Sequence, residues 1–556
     1  MKRASSTYKL IVAFVLALTA STIGWAQATG SLVGTVTDTG GAVVPGATVT
    51  YTNLATNETR QSQSDASGNY QFVSLLPGVY KVTVAHEGFQ QFSVQPVQIA
   101  VGVATRTDAA LKVGATTETI EVTTDTPLLS TQSSSLNYGV ESKQVQELPL
   151  NGRNVLNLMS LVPGVVPQGN TSGNPATLNV TGWGNYQIGG GTANQSATYI
   201  DGAPINVSYV NATALIPTQE AIQEFQVATN NVSPEFGRFA GGIVNMATKS
   251  GTNTFHGALY EYVRNAALNA NLFFNKRSNL PRPKYSQNQY GAAVGGPVLR
   301  DRAFFYLSWE QFNLRRETLN NTTVPSLPMY SGNFSELLSL AKPLQLYDPK
   351  DLSCGGKRCA FAGNIIPAAK LDATAKILGP LLFAPPTTTS SPAAGTNYTT
   401  TTGQTTDYNQ YMARGDEQLG SKNKLFERFS LWHKNNAPGN VAMKNLMGTA
   451  GYFDTKQAVV GDSITISPKM FADVRASFIR FINITMPLSC CNFQFSTLGP
   501  AWAQYQTQST FPQLPEPNIT GMNNFNTIPT IKETDNAYVL SGTITSMLGR
   551  HTPVRW

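Results

Sequence analysis

The sequence predicts a mainly β protein, in which a small N-terminal β-sandwich precedes long antiparallel strands suited to a membrane-spanning wall. Three observations carry this expectation. Charged residues make up only 13% of the 556-residue chain, about half the share usual in soluble globular proteins. Gly (47) and Pro (32) are abundant and Thr, Asn and Ser crowd most segments, which favours strands and turns over helices. Apolar residues recur with period two, in short runs at first and in runs of about ten or more residues later, as half-buried strands require. The length suggests three or more domains.

The N-terminus carries an export address. Lys2, Arg3 and Lys9 precede an apolar stretch at 10–20, followed by small residues and Gly24-Trp25-Ala26-Gln27-Ala28. This is a basic n-region, a short h-region and an A-x-A-like cleavage site, so residues 1–26 read as a signal peptide cleaved after Ala26 or Ala28. A transmembrane anchor needs about 20 apolar residues, and this run is shorter. The mature chain is then exported and either stays soluble or enters a membrane as strands. The three leader cations lower the formal charge from +7 to +4, and the other basic residues form no stripe or arm, which argues against a nucleic-acid partner.

Residues 27–112 alternate like the short strands of a β-sandwich. Leu32 to Thr37, Ala47 to Tyr51, Tyr70 to Phe72 and Val79 to Val84 are separated by turn chemistry at Asp38-Thr39-Gly40-Gly41, Asp65-Ala66-Ser67-Gly68-Asn69 and Leu76-Pro77-Gly78. The order G-x-V-x-D from Gly34, P-G-A-x-V from Pro45, D-x-x-G-x-Y from Asp65 and L-x-P-G-x-Y from Leu75 resembles carboxypeptidase regulatory-like domains, a resemblance that implies a non-catalytic sandwich. A zinc peptidase would need clustered His and Glu ligands, whereas His86, His256, His433 and His551 each stand without a Glu or His at ligand spacing. We therefore expect no metal, no cofactor and no enzyme.

The composition shifts at residue 113, and residues 113–137 form a linker. Within it Glu118, Thr119, Ile120, Glu121, Val122 and Thr123 make a strand-prone run before a Ser-rich segment at 126–135. By composition alone such a run describes any short exposed strand. Placed before the next segment, it resembles the energy-coupling box with which TonB-dependent outer-membrane receptors pair an extended strand with TonB by β-augmentation. The resemblance implies a free strand, TonB as partner and the inner-membrane energising complex behind it.

Residues 138–250 carry the most specific likeness. Val145-Gln146-Glu147-Leu148-Pro149-Leu150-Asn151-Gly152-Arg153-Asn154, then Leu161-Val162-Pro163-Gly164-Val165, resembles the start of a receptor plug, with a helix ending at Pro163-Gly164. Tyr199-Ile200-Asp201-Gly202-Ala203-Pro204 resembles the plug's central strand and turn, and Gln219 to Val227 its helix-to-strand step. The run from Phe236 to Gly251 resembles the strand that closes the plug, where Gly241-Gly242 would let backbones pack closely. Many family members carry Arg-Gly-Pro after the helix-to-strand step. Thr229-Asn230-Asn231 stands there instead, which puts the plug-to-wall ionic contact of that arginine in doubt, and Arg238 cannot simply replace it.

From residue 251 to 556 the pattern is that of a barrel wall. Strands are expected near 254–264, 286–298, 302–315, 406–418, 422–434, 455–466, 470–484 and 536–547. Phe304, Tyr306, Ser308 and Glu310 alternate with Phe305, Leu307, Trp309 and Gln311; Phe471, Asp473, Arg475, Ser477 and Ile479 alternate with Ala472, Val474, Ala476, Phe478 and Arg480. Such a wall separates lipid from a watery lumen. Val298-Leu299-Arg300-Asp301-Arg302 reads as a tight turn, and the polar stretches at 316–405 and 485–535 as outer loops. Cys354 and Cys359 flank Gly355-Gly356, which could bring their sulfurs together in an oxidising compartment; Cys490 and Cys491 receive no assignment. The expected strands number about eight where plugged transporters close with about 22, and the basic stretch from Leu548 to Trp556 reads as a strand just begun. A C-terminally truncated barrel is the expectation.

Enzyme-like motifs fail on chemistry. Gly461-Asp462-Ser463-Ile464 imitates a lipase nucleophile block without a histidine base, and Thr248-Lys249-Ser250 ends like a phosphate loop but lacks the glycine before the lysine. Gly189-Gly190-Gly191 has no strand-then-helix context and reads as a loop. The whole reading is mainly β: an N-terminal β-sandwich, an α+β plug domain and an incomplete antiparallel transmembrane β-barrel in outer-membrane lipid. It implies energised uptake of a large external ligand, such as carbohydrate or peptide polymer fragments. A cell-surface adhesion or structural binding protein is the alternative.

Overall fold

The computed structural model describes residues 29–114, 119–122, 136–167, 186–192, 195–209, 211–232, 239–277, 279–392, 395–437, 448–515, 530–546 and 554–555. The expected leader, Glu118 and Thr123 at the ends of the coupling run, the Ser-rich linker, Phe236 to Arg238 and most of the stretch from Leu548 to Trp556 lie outside them.

The first unit is a sandwich of β1 (Gly30–Asp38), β2 (Thr48–Asn53), β3 (Thr59–Gln63), β4 (Asn69–Leu75), β5 (Gly78–Ala85), β6 (Gln91–Ile99), β7 (Ala104–Arg106) and β8 (Ala109–Leu111). One sheet runs β4-β1-β7 with β8 also on β1; the other runs β3-β2-β5-β6 and continues to β9 (Thr119–Val122). Period-two alternation sends Leu32, Val36, Val49, Tyr51, Phe72, Tyr80, Val82 and Val84 into the shared core, each such burial worth roughly 1.5–3 kcal/mol for the aliphatic and Phe side chains. Tyr51 meets Phe72 and Tyr80 edge-on, with centroids 4.9 and 5.5 Å away. The Asp65-to-Tyr70 motif has a local cause. The Asp65 carboxylate accepts the Ser67 and Asn69 N–H groups at 2.8 and 2.9 Å. Gly68 sits at φ +76°, where a Cβ would lie 2.6 Å from the Val36 carbonyl oxygen.

The second unit, the plug, contains β10 (Leu136–Val140), a helix at Ser142–Glu147, a 3-10 segment at Val155–Leu161, β11 (Val165–Pro167), β12 (Tyr186–Ile188), β13 (Ala197–Ile200), β14 (Ala203–Pro204), β15 (Ile222–Asn230) and β16 (Ile243–Thr248). Its main sheet is ordered β10-β15-β16-β13-β14. The 3-10 segment stops before Pro163, and Gly164 turns the chain at φ +81°. Every residue of β16 is buried, as in a strand covered on both faces. Gly242, just before it, has no room for a side chain: a Cβ would lie 2.0 Å from Ile188 Cγ2 and 2.6 Å from the Ala228 carbonyl oxygen.

The third unit is the wall: β17 (His256–Asn265), β18 (Tyr285–Leu299), β19 (Ala303–Thr322), β20 (Tyr398–Leu419), β21 (Asn423–Ala437), β22 (Thr449–Ser467), β23 (Met470–Pro487), β24 (Ile531–Ser546) and β25 (Val554–Arg555). Consecutive strands pair antiparallel in one nine-stranded sheet, whose edges among the described residues are β17 and β25. Phe304, Tyr306, Ser308, Glu310 and Phe312 face the plug and are buried, whereas Leu307, Tyr411, Phe429, Val460, Val474 and Tyr538 form an exposed apolar outer face. The eight strands anticipated from the sequence are all present, but β19 and β20 run past the expected ends. Glu317 pairs with Gly403, and the ladder continues to Thr322 and Tyr398 inside segments expected to be loop. These outer turns of the ladder are Thr- and Asn-rich on both faces, so apolar alternation could not mark them.

Tight turns at 300–302, 420–422 and 468–469 close one end of the wall, and the described residues of the long connectors, 323–392, 395–397 and 488–515, crown the other. The long connectors pack on each other through Val324, Leu382, Phe383 and Leu514, and the Trp502 indole donates to Thr374 Oγ1 at 3.0 Å. A disulfide joins Cys354 to Cys359 within this crown, with Cα atoms 5.3 Å apart, and Cys490 is joined to Cys491.

Candidate functional site: the plug–wall ionic cluster and the coupling strand

The plug is held by polar contacts that start at its central turn. Asp201 follows β13 at φ +48°, in a turn that projects its carboxylate toward the wall. Arg414 of β20 approaches Oδ1 at 3.0 Å, and Arg428 of β21 approaches Oδ2 at 2.8 Å. Thr248, the last residue of β16, donates its N–H to Oδ1 at 2.9 Å and its hydroxyl to Oδ2 at 2.8 Å. Arg414 also forks onto Asp416 with two 2.8 Å hydrogen bonds, and Ser250 donates to the same carboxylate at 2.7 Å. Arg428 donates to the Ile200 carbonyl at 3.1 Å and to Ser430 Oγ at 2.8 Å. Two carboxylates and two guanidiniums thus neutralise one another in a site where no side chain is more than 6% exposed. Burial pushes the Asp201 carboxyl up, but the two guanidiniums and the Thr248 donors outweigh it and hold it below the usual range.

A second cluster forms around Arg153, in the Asn-Gly-Arg-Asn turn at φ +52°. Its guanidinium pairs with Glu220 at 2.9 Å and lies 3.6 Å from Glu310 of β19, with the Tyr260 and Tyr262 rings at 4.3 and 4.6 Å. Lys249 reaches Glu220 from the other side at 3.6 Å. Glu310 also accepts from Tyr408, Gln289 and Tyr260 at 2.8, 3.0 and 2.9 Å. Between the clusters the wall donates to plug carbonyls: Gln410 to Ile216 and Thr455 to Ala214, both at 2.6 Å, and Tyr306 to Glu220 at 2.7 Å. Toward the crown, Ser208 donates twice to Asp535 at 2.7 Å and Tyr209 to Glu533. No nucleophile with an adjacent base emerges from these contacts. Ser463 of the lipase-like block donates to Asp473 at 2.7 Å as a wall residue.

The sandwich sits at the tight-turn end. Glu58 pairs with Lys424, Arg60 donates to Thr465 Oγ1 at 3.2 Å, Ser62 donates to the Pro468 carbonyl at 2.9 Å and Asn57 donates to Asp301 at 2.9 Å. Burial raises the Glu58 carboxyl, but Lys424, Arg60 and the Tyr51 hydroxyl bring it below its ordinary value. On the plug side, the Val101 N–H donates to the Glu224 carboxylate. Burial pushes that carboxyl up to about 7, against the lowering effect of the same N–H, with Glu141 adding to the rise.

The described residues of the run expected to couple, 119–122, lie at the same end. Thr119–Val122 forms β9, which pairs parallel with β6 through Gln91 and Thr119, Phe92 and Ile120, Ser93 and Glu121, and Val94 and Val122. The expectation of a free strand is therefore corrected: its backbone is docked on the edge of the sandwich sheet. The edge of β6 offers unpaired backbone groups that the run can satisfy, which composition does not reveal. The sequence reading also missed the ionic cluster. In the sequence, Thr248, Lys249 and Ser250 show only a plug-closing run and a failed phosphate loop, and Asp201 and Arg153 only parts of likenesses. The usable signal was charge inside alternating wall strands, at Glu310, Arg414, Asp416 and Arg428, since a charge facing a filled lumen needs a partner.

Residues 247–553, more than half of the chain, match the outer membrane beta barrel domain family. Residues 31–112 match the carboxypeptidase regulatory-like domain and residues 129–244 the TonB-dependent receptor plug domain. The TonB-dependent transporter Oar of Myxococcus xanthus is 25% identical over 290 residues, covering 50% of this chain and 26% of the relative. Among solved structures, the outer membrane transporter YddB of Escherichia coli is similar at 10% identity with a TM-score of 0.43, over 74% of this chain and 45% of that one. A mutant ferric enterobactin receptor, PfeA, of Pseudomonas aeruginosa is similar at 12% identity with a TM-score of 0.40, over 76% and 48%. The chain spans about a quarter of the length of its curated relative and under half of these two structures. The family matches place it in the bacterial outer membrane, with its tight turns toward the periplasm. The chain belongs to the TonB-dependent outer-membrane receptors that carry an N-terminal carboxypeptidase regulatory-like domain.

Proposed function

We propose that this chain serves in the energised uptake of a large external ligand, a carbohydrate or peptide polymer fragment, with TonB and its inner-membrane complex supplying the work through the run from Glu118 to Thr123. The observation that carries the reading is the seating of the plug. It is held by a charge-balanced cluster and by hydrogen bonds to its backbone carbonyls, beside an apolar contact in which Phe312, Tyr408, Trp432 and Phe453 of the wall join the plug core. Polar contacts of this kind can be exchanged for water one at a time, so a pull from the periplasm can release them in sequence as the plug shifts. The coupling strand stands at the periplasmic end and is joined to β10, the first plug strand, by residues 123–135. Support for a large ligand comes from the crown, where two long connectors fold together and present Tyr505 partly exposed beside Trp502.

The test uses the protein displayed in bacterial outer membranes, with fluorescent oligosaccharide and peptide mixtures as probes. Surface binding should persist in cells lacking TonB while internalisation stops. Ile120→Pro, which removes a backbone donor from the coupling strand, should give the same split. Internalisation that continues without TonB, or at the wild-type rate in the proline variant, would sink the reading. Probe retention with no TonB-dependent step would favour an adhesion protein.

A further inference from the structure

We propose that the sandwich is a resting dock for the coupling strand, so that TonB must take Thr119–Val122 away from β6 before it can pull on the chain that leads to β10. The proposal rests on the TonB-coupling reading above and adds the regulation of that same strand. Its first support is the ladder itself: β9 is the last strand of the β3-β2-β5-β6-β9 sheet and pairs in parallel over four residues. A short parallel ladder at a sheet edge is among the weaker pairings a sheet contains, and so can be exchanged for another strand.

The second support is the path that a force would follow. Any pull on β9 while it stays on β6 enters the sandwich sheet. That sheet is tied to the periplasmic turns of the wall through Glu58 and Lys424, Arg60 and Thr465, Ser62 and Pro468, and Asn57 and Asp301. The force is then borne by the wall and by the contact of Val101 with Glu224 of β15, and not by the chain that leads to β10. Only when β9 leaves β6 does the chain through residues 123–135 come under tension and load β10, which lies against β15 of the plug sheet. The docked strand is thus the idle state of the transporter. The sandwich competes with TonB for one backbone segment, and the stability of the β6–β9 ladder sets how readily coupling begins.

The experiment links the strands covalently. Gln91→Cys with Thr119→Cys places cysteines at register partners across the ladder. The full chain in detergent is exposed to the periplasmic domain of TonB, and binding is compared between the oxidised and reduced forms of the same protein. Oxidation should weaken TonB binding at least tenfold, and reduction should restore it. As a control, oxidised Thr52→Cys with Lys81→Cys, which links register partners β2 and β5 within the same sheet, should bind as the wild type does. Equal binding by the oxidised and reduced ladder variant would overturn the dock while leaving the coupling reading intact, because TonB would then be adding to the other edge of β9. Equal weakening by the control link would also overturn it, since stiffening the sandwich rather than holding β9 would be responsible. Absence of binding by the wild type and the reduced variant alike would overturn the coupling reading, and the dock with it.

Discussion

Arg414 and Arg428 stand directly opposite each other on neighbouring wall strands and converge on one carboxylate, that of Asp201. Like charges facing across a ladder destabilise a sheet. The wall tolerates this pair because Asp416 neutralises one arginine from within its own strand and the plug supplies the other counter-charge. Plug and wall are therefore electrostatically incomplete without each other.

Asp201→Asn should strip both arginines of that partner. Removing one member of a buried ionic set costs about 3–5 kcal/mol, and the loss should fall on plug seating rather than on the wall ladders. Hydrogen exchange should show β13 and β16 losing protection while β19 to β22 keep theirs. Unchanged protection of β16 would show that the cluster does not hold the plug.

Thr248→Val should weaken the same seat by a smaller amount. Its hydroxyl donates to Asp201 and accepts from Arg414 at 2.9 Å, and leaving such buried groups unmatched costs about 1–3 kcal/mol. Combined with Asp201→Asn, the effects should be less than additive, because both substitutions remove one shared network. Strict additivity in urea unfolding of the plug would contradict that coupling.

The sandwich should dock best in mildly acidic solution. Glu224 has a carboxyl raised from 4.5 to about 7, so its contribution is complete below the ordinary value and is lost as pH rises through about 7. Glu58 is held below its ordinary value, so its contribution is present above 4.5 and is lost as pH falls through its lowered value. Protease sensitivity of the segment that joins sandwich to plug should pass through a minimum between these limits. Glu224→Gln should flatten the alkaline side alone, and a profile unchanged by that substitution would refute the assignment.

Reduction of the Cys354–Cys359 bridge should cost the crown about 2 kcal/mol, the chain-entropy expectation for so small a loop. Mass spectrometry of unreduced protein from the cell surface should find no free thiol at these positions. Two free thiols there would remove the bridge from the account.

The wall was legible in the sequence because each crossing strand must satisfy two media at once. Alternation in Phe304 to Gln311 and Phe471 to Arg480 records that demand directly. The Thr-rich ladder between Glu317–Thr322 and Tyr398–Gly403 was hidden because strands standing in water on both faces need no such alternation. The sandwich was readable from its turns, since Asp65 and Gly68 act locally. The ionic cluster was not, because it joins Asp201, Thr248, Arg414 and Arg428, which are far apart in the chain and meet only once the plug is seated. The docking of β9 was hidden for a related reason: backbone pairing at an edge is nearly indifferent to which side chains it joins.

The length of β19 and β20 has a consequence for where a ligand is first met. Their 20 and 22 residues extend over about 66 and 73 Å at about 3.3 Å per residue, whereas a tilted crossing of the bilayer uses only about 9–11 residues. Roughly half of this hairpin therefore stands outside the lipid as a stiff parapet, with the disulfide-bearing connector at its top. Any contact made at the top of this parapet would lie well above the headgroups, with the threonine-rich ladder of 317–322 and 398–403 between it and the bilayer.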